Sequence, residues 1–178
     1  MTGRLIGIAR RNVRRAPMQT TDQGLITQVA GLVGDFKGAK YPRRQVTVLA
    51  LEAWQAALAE IAQSSLPWTT RRANLLVEGV DLPRAAGGVL RIGAVHLEVT
   101  GQTYPCSRME EAQAGLLSAL AKDWRGGVTC RVLKVGRSPW AMRSRFWCGR
   151  RPQRAICPDS PCIKRPPRTR RAAKKPEN

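Results

Sequence analysis

The stretch LRIGAVHLEVTGQTYPCSRMEEA reads as strand, turn, strand, turn, helix, with residues 101–105 forming the last turn and Cys106 at its exit. Ser107 and Glu110 have the S-x-x-E spacing of a capping box, which would start a helix one residue after the thiol. Backbone N–H groups without intrahelical partners and the positive end of the helix dipole gather at such a place, and Arg108 adds a cation. All three favour a charged sulfur, which can act as a nucleophile, carry a sulfur atom or ligate a metal. The competing reading is a small buried hydrophobe, and the turn and cap favour the reactive one. Cys130, in contrast, alternates with Val128 and Val132 along a β-run and reads as a core residue. The single histidine, His96, is out of phase with Val95, Leu97 and Val99 and shares the solvent face of its strand with Glu98. A Cys–His pair of the kind a cysteine protease uses is therefore not expected.

Two further segments, GLVGDFKGAKYPRRQ and WTTRRANLLVEGVDL, concentrate polar groups. Gly34 and Gly38 with Lys37, Lys40, Arg43 and Arg44, and separately Arg71, Arg72 and Asn74, are able to present backbone amides and cations to an anion. Neither is a phosphate-loop motif, and each alone reads equally as a solvated basic loop. The five cysteines are odd in number and irregular in spacing, which gives little support to a disulfide framework. The close pair Cys157 and Cys162 has no histidine near it, unlike a zinc motif.

The elements that must position these residues are short. Strands are expected at residues 5–10, 45–49, 74–77, 89–92, 95–100 and 128–135, most of them bounded by Gly, Pro or Asp. Strands this numerous and brief suggest a closed or nearly closed sheet. One helix at about residues 51–63 places Leu51, Trp54, Leu58 and Ile61 on a single stripe, and a second at about 108–122 buries Leu116, Leu117 and Leu120. The expected fold is mainly β with a few helices, in one domain over residues 1–136.

Residues 137–178 break this pattern. They hold 13 Lys and Arg against 2 acidic residues, and so supply +11 of the net charge of +19. The composition is Arg, Pro, Ser, Cys and Trp without a period, and a disordered basic tail is expected. A nucleic-acid-binding module is the reading such charge suggests. Its concentration in the tail makes nucleic acid an unlikely partner of the domain itself. No apolar run approaches the ~20 residues of a membrane span. The basic N-terminus MTGRLIGIARRNVRR has only a short apolar stretch and no small-residue cleavage site, so a cytoplasmic protein is expected.

Taken in order, GLVGDFKG, RRQVTVLALEAW, RRANLLVEGVDL, LRIGAVHLEVTG with PCSRM, and DWRGGVTCRVLKVG resemble the MOSC family, named for the C-terminal domain of molybdenum cofactor sulfurases, and in particular its short stand-alone bacterial members. The resemblance implies a β-barrel-like fold. It also implies a reactive cysteine, matched by Cys106, that carries sulfur or ligates molybdenum in a molybdenum cofactor (molybdopterin). Arg44, Arg72, Asn74 and Arg108 are the positions it would turn toward the pterin phosphate, with Asp35 ordering the loop. Relatives often show a histidine within Gly34 to Gly38, where this chain has Phe36 and Lys37. The activities implied are those of a sulfur transferase or a molybdenum-dependent reductase of N-hydroxylated bases. The partners implied are the cofactor or a small-molecule substrate, with a redox or sulfur-donor protein.

Such domains usually end on a strand resembling I-x-V-G-D-x-V. GC-rich back-translation of RSPWAMRSRFW, read from the third base of the Arg137 codon, gives I-A-V-G-D-A-V-A-V-L, so a frameshift near Arg137 is the expected origin of the tail. A genuine basic extension is the alternative.

Overall fold

The computed structural model describes residues 3–135 and the backbone of residues 142–143. Its strands are β1 (Arg4–Arg10), β2 (Gln19–Thr21), β3 (Gln23–Gly24), β4 (Ile26–Thr27), β5 (Gly31–Leu32), β6 (Val46–Ala50), β7 (Leu75–Glu78), β8 (Val89–Ile92), β9 (Val95–Gln102), β10 (Val128–Val135) and β11 (Met142–Arg143). The helices are α1 (Leu51–Glu60), α2 (Ser107–Ala112) and α3 (Leu116–Ala121). All six strands expected from alternation are present, shifted by no more than two residues at any end.

Seven strands form one sheet in the order β2-β1-β7-β6-β10-β9-β8. Its pairs are antiparallel except β6 with β7, whose parallel register (Val48 opposite Leu75) follows from the crossover through α1. Strand periodicity sends alternate side chains to opposite faces, and here both faces are covered. Leu5, Ile8, Val46, Val48, Leu75, Val77, Leu97, Val99, Val128 and Cys130 meet in one core, which β4 and β5 complete with Ile26 and Leu32. Leu49 and Leu76 point the other way, onto Trp54 and Leu58 of α1 and Met109, Leu116 and Leu120 of α2 and α3. Every residue of β6 is buried for this reason. Each fully buried Leu, Ile or Val contributes ~1.5–3 kcal/mol. The barrel-like fold is thus a sheet gathered around one core, open between β2 and β8 among the described residues.

Two local expectations are corrected. The single helix expected at 108–122 is two, separated at Gly115, whose φ of +81° suits glycine and ends the helical path. Ser107 is also not the cap of α2. Cys106 occupies the N-cap position, and Glu110 turns forward to accept from the backbone N–H of Gly115 at 2.8 Å and of Leu117 at 3.4 Å. The carboxylate caps the start of α3, because the kink brings those unpaired donors within its reach. The disordered tail and the frameshift fall on residues 137–178, which lie outside the described residues apart from β11. That strand pairs Met142 with Gly24 and Arg143 with Gln23.

Candidate functional site

A buried polar hub sets the geometry. Asn74 precedes β7 and is 3% exposed. Its Oδ1 accepts from Thr47 N at 3.0 Å and from Thr47 Oγ1 at 2.8 Å; its Nδ2 donates to Ala9 O at 3.3 Å and to Asp35 Oδ2 at 3.1 Å. The amide thereby ties β1, β6 and β7 to the loop that carries Asp35. Asp35 is itself buried and also accepts from the backbone N–H of Lys37 at 3.0 Å and of Arg11 at 3.3 Å. Burial pushes its carboxyl above the ordinary range, against the opposing pull of the Lys37 and Asn74 hydrogen bonds. Phe36 lies under the Arg11 guanidinium at 4.9 Å from the ring centre.

Above this frame Cys106 is exposed at the end of the turn that leaves β9. Three cations face it electrostatically, namely Lys37, Arg71 and Arg72. Arg71 ends the 3-10 turn Trp68–Arg71 and is only 5% exposed; its Nη2 donates to Thr103 O at 2.7 Å, and its Nε is buried without a partner. Gly126 permits this placement, since a Cβ there would sit 2.4 Å from Thr103 O and 2.9 Å from Arg71 Nη2. Burial pushes the Arg71 guanidinium down to about 10, with negative charge on Cys106 opposing the shift and Arg44 adding to it. Arg71 remains a cation at neutral pH. Lys37 and Arg72 are also lowered, first by burial; at Lys37 the Asp35 carboxylate opposes the shift while Arg44 and Arg71 add to it, and Arg108 repels Arg72. Among the described residues none of these cations forms a salt bridge. Positive charge therefore accumulates around one sulfur, offset only at Lys37 by the neighbouring Asp35 carboxylate, an arrangement that suits an anion.

The expected site residues divide between two places. Arg72 and Arg108 line a cleft of about 450 Å³ together with Arg15. Arg15 and Arg72 both adopt left-handed backbone, at φ 70° and 65°. Arg44 lines a different cleft with Arg43 and Tyr104. Asn74 and Asp35 lie beneath, with their polar atoms engaged in the frame. His96 pairs opposite Lys134 and Arg91 at the far end of β9, half-buried on the outward face. Cys130 is fully buried, and burial pushes its thiol up to about 12.

Arg71 and Lys37, which the sequence placed only within two basic clusters, act on Cys106 together with Arg72, whereas Arg44 acts on Lys37 and Arg71. An adjacent arginine pair carries no sign of which member turns inward. The Gly126–Gly127 pair, which makes room for Arg71, is the one available hint.

The MOSC domain family matches residues 35–139, more than half of the chain, a span that includes the Asp35 loop, both arginine pairs and Cys106. No curated protein matches in sequence. In fold the chain is similar to the YuaD protein of Bacillus subtilis, with a TM-score of 0.65, 18% identity, and coverage of 81% of this chain and 92% of that one. It is also similar to YiiM of Geobacillus stearothermophilus, with a TM-score of 0.59, 14% identity, and coverage of 79% and 73% respectively. At these identities the likeness speaks to the fold. Sequence match and architecture agree, and the chain belongs to the MOSC domain family.

Proposed function

We propose that the protein binds a molybdenum–pterin cofactor at Cys106 and serves as a sulfur carrier or cofactor-binding protein. The observation that carries this reading is the exposed Cys106 thiol within the field of Lys37, Arg71 and Arg72, of which Lys37 alone is offset by a carboxylate, that of Asp35. The donor set fits such a group. Among the described residues no three His, Cys, Asp or Glu side chains converge on a metal, so a metal at Cys106 would draw its remaining ligands from a cofactor. The phosphate would be held by Arg72 and Arg108, which share a cleft. The orphaned Nε of Arg71 supplies fixed positive charge behind the thiol.

The cofactor, when bound, supplies a metal centre able to exchange electron pairs and oxygen atoms. The chain's own contribution is to present the exposed Cys106 sulfur beside that centre. As a sulfur carrier, the Cys106 thiolate attacks the terminal sulfur of a donor persulfide. The donor leaves as a thiolate, and Cys106 becomes a persulfide with no net oxidation.

The test is purification of wild type and Cys106→Ser from a host that makes the cofactor. Molybdenum is measured by mass spectrometry, pterin by fluorescence after oxidation, and carried sulfur by cyanolysis. Near-stoichiometric molybdenum or cyanide-labile sulfur in wild type, lost in Cys106→Ser, is expected. Absence of both from the wild type overturns the reading.

A further inference from the structure

A cleft of about 610 Å³ lies past the carboxyl ends of β6 and β7, lined by the first turns of α1, the loop after β7 and the turn that follows α3. Its volume falls in the ~300–1,000 Å³ range of small-molecule sites, and none of Cys106, Lys37, Arg71, Arg72 or Arg108 lines it. Much of its wall is apolar. Ala53 and Ala56, one turn apart on α1, leave a shallow helix face; Val80, Leu82 and the Trp124 indole are half-buried against the sheet core and complete the lining. Five charged side chains stand among these groups, and two of them are cations already matched by carboxylates. Arg125 pairs with Glu60 at 2.6 Å, and Arg84 with Asp81 at 3.9 Å. Glu52 and Asp123 form no salt bridge among the described residues. Glu52 engages one oxygen, Oε1, with the backbone N–H of Gly79 at 2.6 Å, and Asp123 is exposed. Two carboxylates are thus left over beside an indole, in a chain whose net charge is +19.

We propose that this cleft is a binding site for an organic ammonium ion with an apolar body, its charged head toward Glu52, Asp123 and the Trp124 ring and its body against Ala53, Ala56, Val80 and Leu82. Carboxylates and the face of an indole both attract a cation, and the two attractions add where part of the ligand leaves water. The complementarity is local, because the chain as a whole repels cations and attracts anions. The inference goes beyond the cofactor reading and stands independently of it, since binding here uses neither thiol nor metal.

The test is ligand-observed NMR titration of the full metal-free chain with phenethylamine, 2-phenylethanol and 3-phenylpropionate, at pH ~7, where an alkylamine is protonated. The three share one apolar body and differ in the charge of the head. Phenethylamine should bind about tenfold more tightly than the alcohol, and the carboxylate should bind most weakly, against the trend that the net charge alone would impose. Asp123→Asn should weaken the amine by about fivefold; asparagine tolerates the left-handed backbone at φ 46°. Ala53→Leu keeps a good helix former while filling the cleft, and should weaken the amine by at least about tenfold. Circular dichroism checks that both variants fold. Cys106→Ser should bind the amine as wild type does. Binding of 3-phenylpropionate equal to or tighter than that of phenethylamine, no amine binding, undiminished binding in either cleft variant, or loss in Cys106→Ser overturns the proposal. Molybdenum and sulfur retention at Cys106 are measured separately and do not depend on this cleft, so the two readings fail separately.

Discussion

Asn74→Ala separates a framework amide from a ligand-binding one. In the structure the side chain makes four buried hydrogen bonds, to Thr47 N, Thr47 Oγ1, Ala9 O and Asp35 Oδ2. The Thr47 hydroxyl can rotate to another acceptor, and a carbonyl such as Ala9 O tolerates losing one donor best. The Thr47 N–H is left without a partner, and the Asp35 carboxylate, still held by the N–H groups of Lys37 and Arg11, loses one of its three donors. An orphaned buried polar group costs ~1–3 kcal/mol, more when charged, so the substitution should remove ~4 kcal/mol of stability. That is a large share of the ~5–15 kcal/mol a domain has, and near Tm it corresponds to a drop of ~15 °C. Urea unfolding of the metal-free protein, followed by far-ultraviolet circular dichroism, measures it. A loss below ~1 kcal/mol in a variant that no longer binds an anionic ligand would refute the reasoning and return Asn74 to the ligand.

Three other outcomes follow from the same geometry. Because burial raises the Asp35 carboxyl, the folded chain holds that proton more tightly than the unfolded one; its contribution is present below pH ~4 and is lost as pH rises through the raised value. Asp35→Asn should flatten that part of the slope in urea midpoints measured against pH. Brief iodoacetamide treatment at pH ~8 should label Cys106 in the native protein, whereas Cys130, with its thiol pushed up to about 12, should label only after unfolding; peptide mapping distinguishes both from the cysteines of residues 137–178. Glu110→Ala should cost ~1 kcal/mol and speed amide exchange in α3, while Ser107→Ala should be near neutral; the reverse ranking would restore the capping box at α2.

Much of the sheet was legible because both of its cores are built from β-branched and Leu side chains in alternation, a signal local to each strand. Val89–Ile92 and Val128–Val135 were recovered end to end for this reason. The short pairs β3, β4 and β5 were not, because two residues cannot show a period and are strands only through their partners. The capping error has a related cause. S-x-x-E at Ser107 and Glu110 is a correct local pattern, but the choice of donor depends on the kink at Gly115, which brings the unpaired N–H groups of α3 to the same carboxylate.

The site shows the same division between local and assembled information. Cys106 could be singled out because the turn and helix start that expose it are adjacent in sequence. Its charge environment could not, since Lys37, Arg71 and Arg72 come from segments that meet only through the Asn74 hub and the packing of Arg71 against Thr103 and Gly126. A sequence reader chooses the arginines that look exposed and so places the charge on the rim. The fold instead buries one guanidinium at 5% exposure with an unpartnered Nε, where screening by salt is weak. Arg72 and Arg108 repel one another in the free protein, so an anion that settles between them should gain from relief of that repulsion as well as from its own contacts. Added phosphate should therefore raise the unfolding midpoint of wild type more than that of Arg108→Ala, measured by thermal scans at constant ionic strength. Equal shifts in the two proteins would show that phosphate is felt by the net charge of +19 as a whole and not by this cleft.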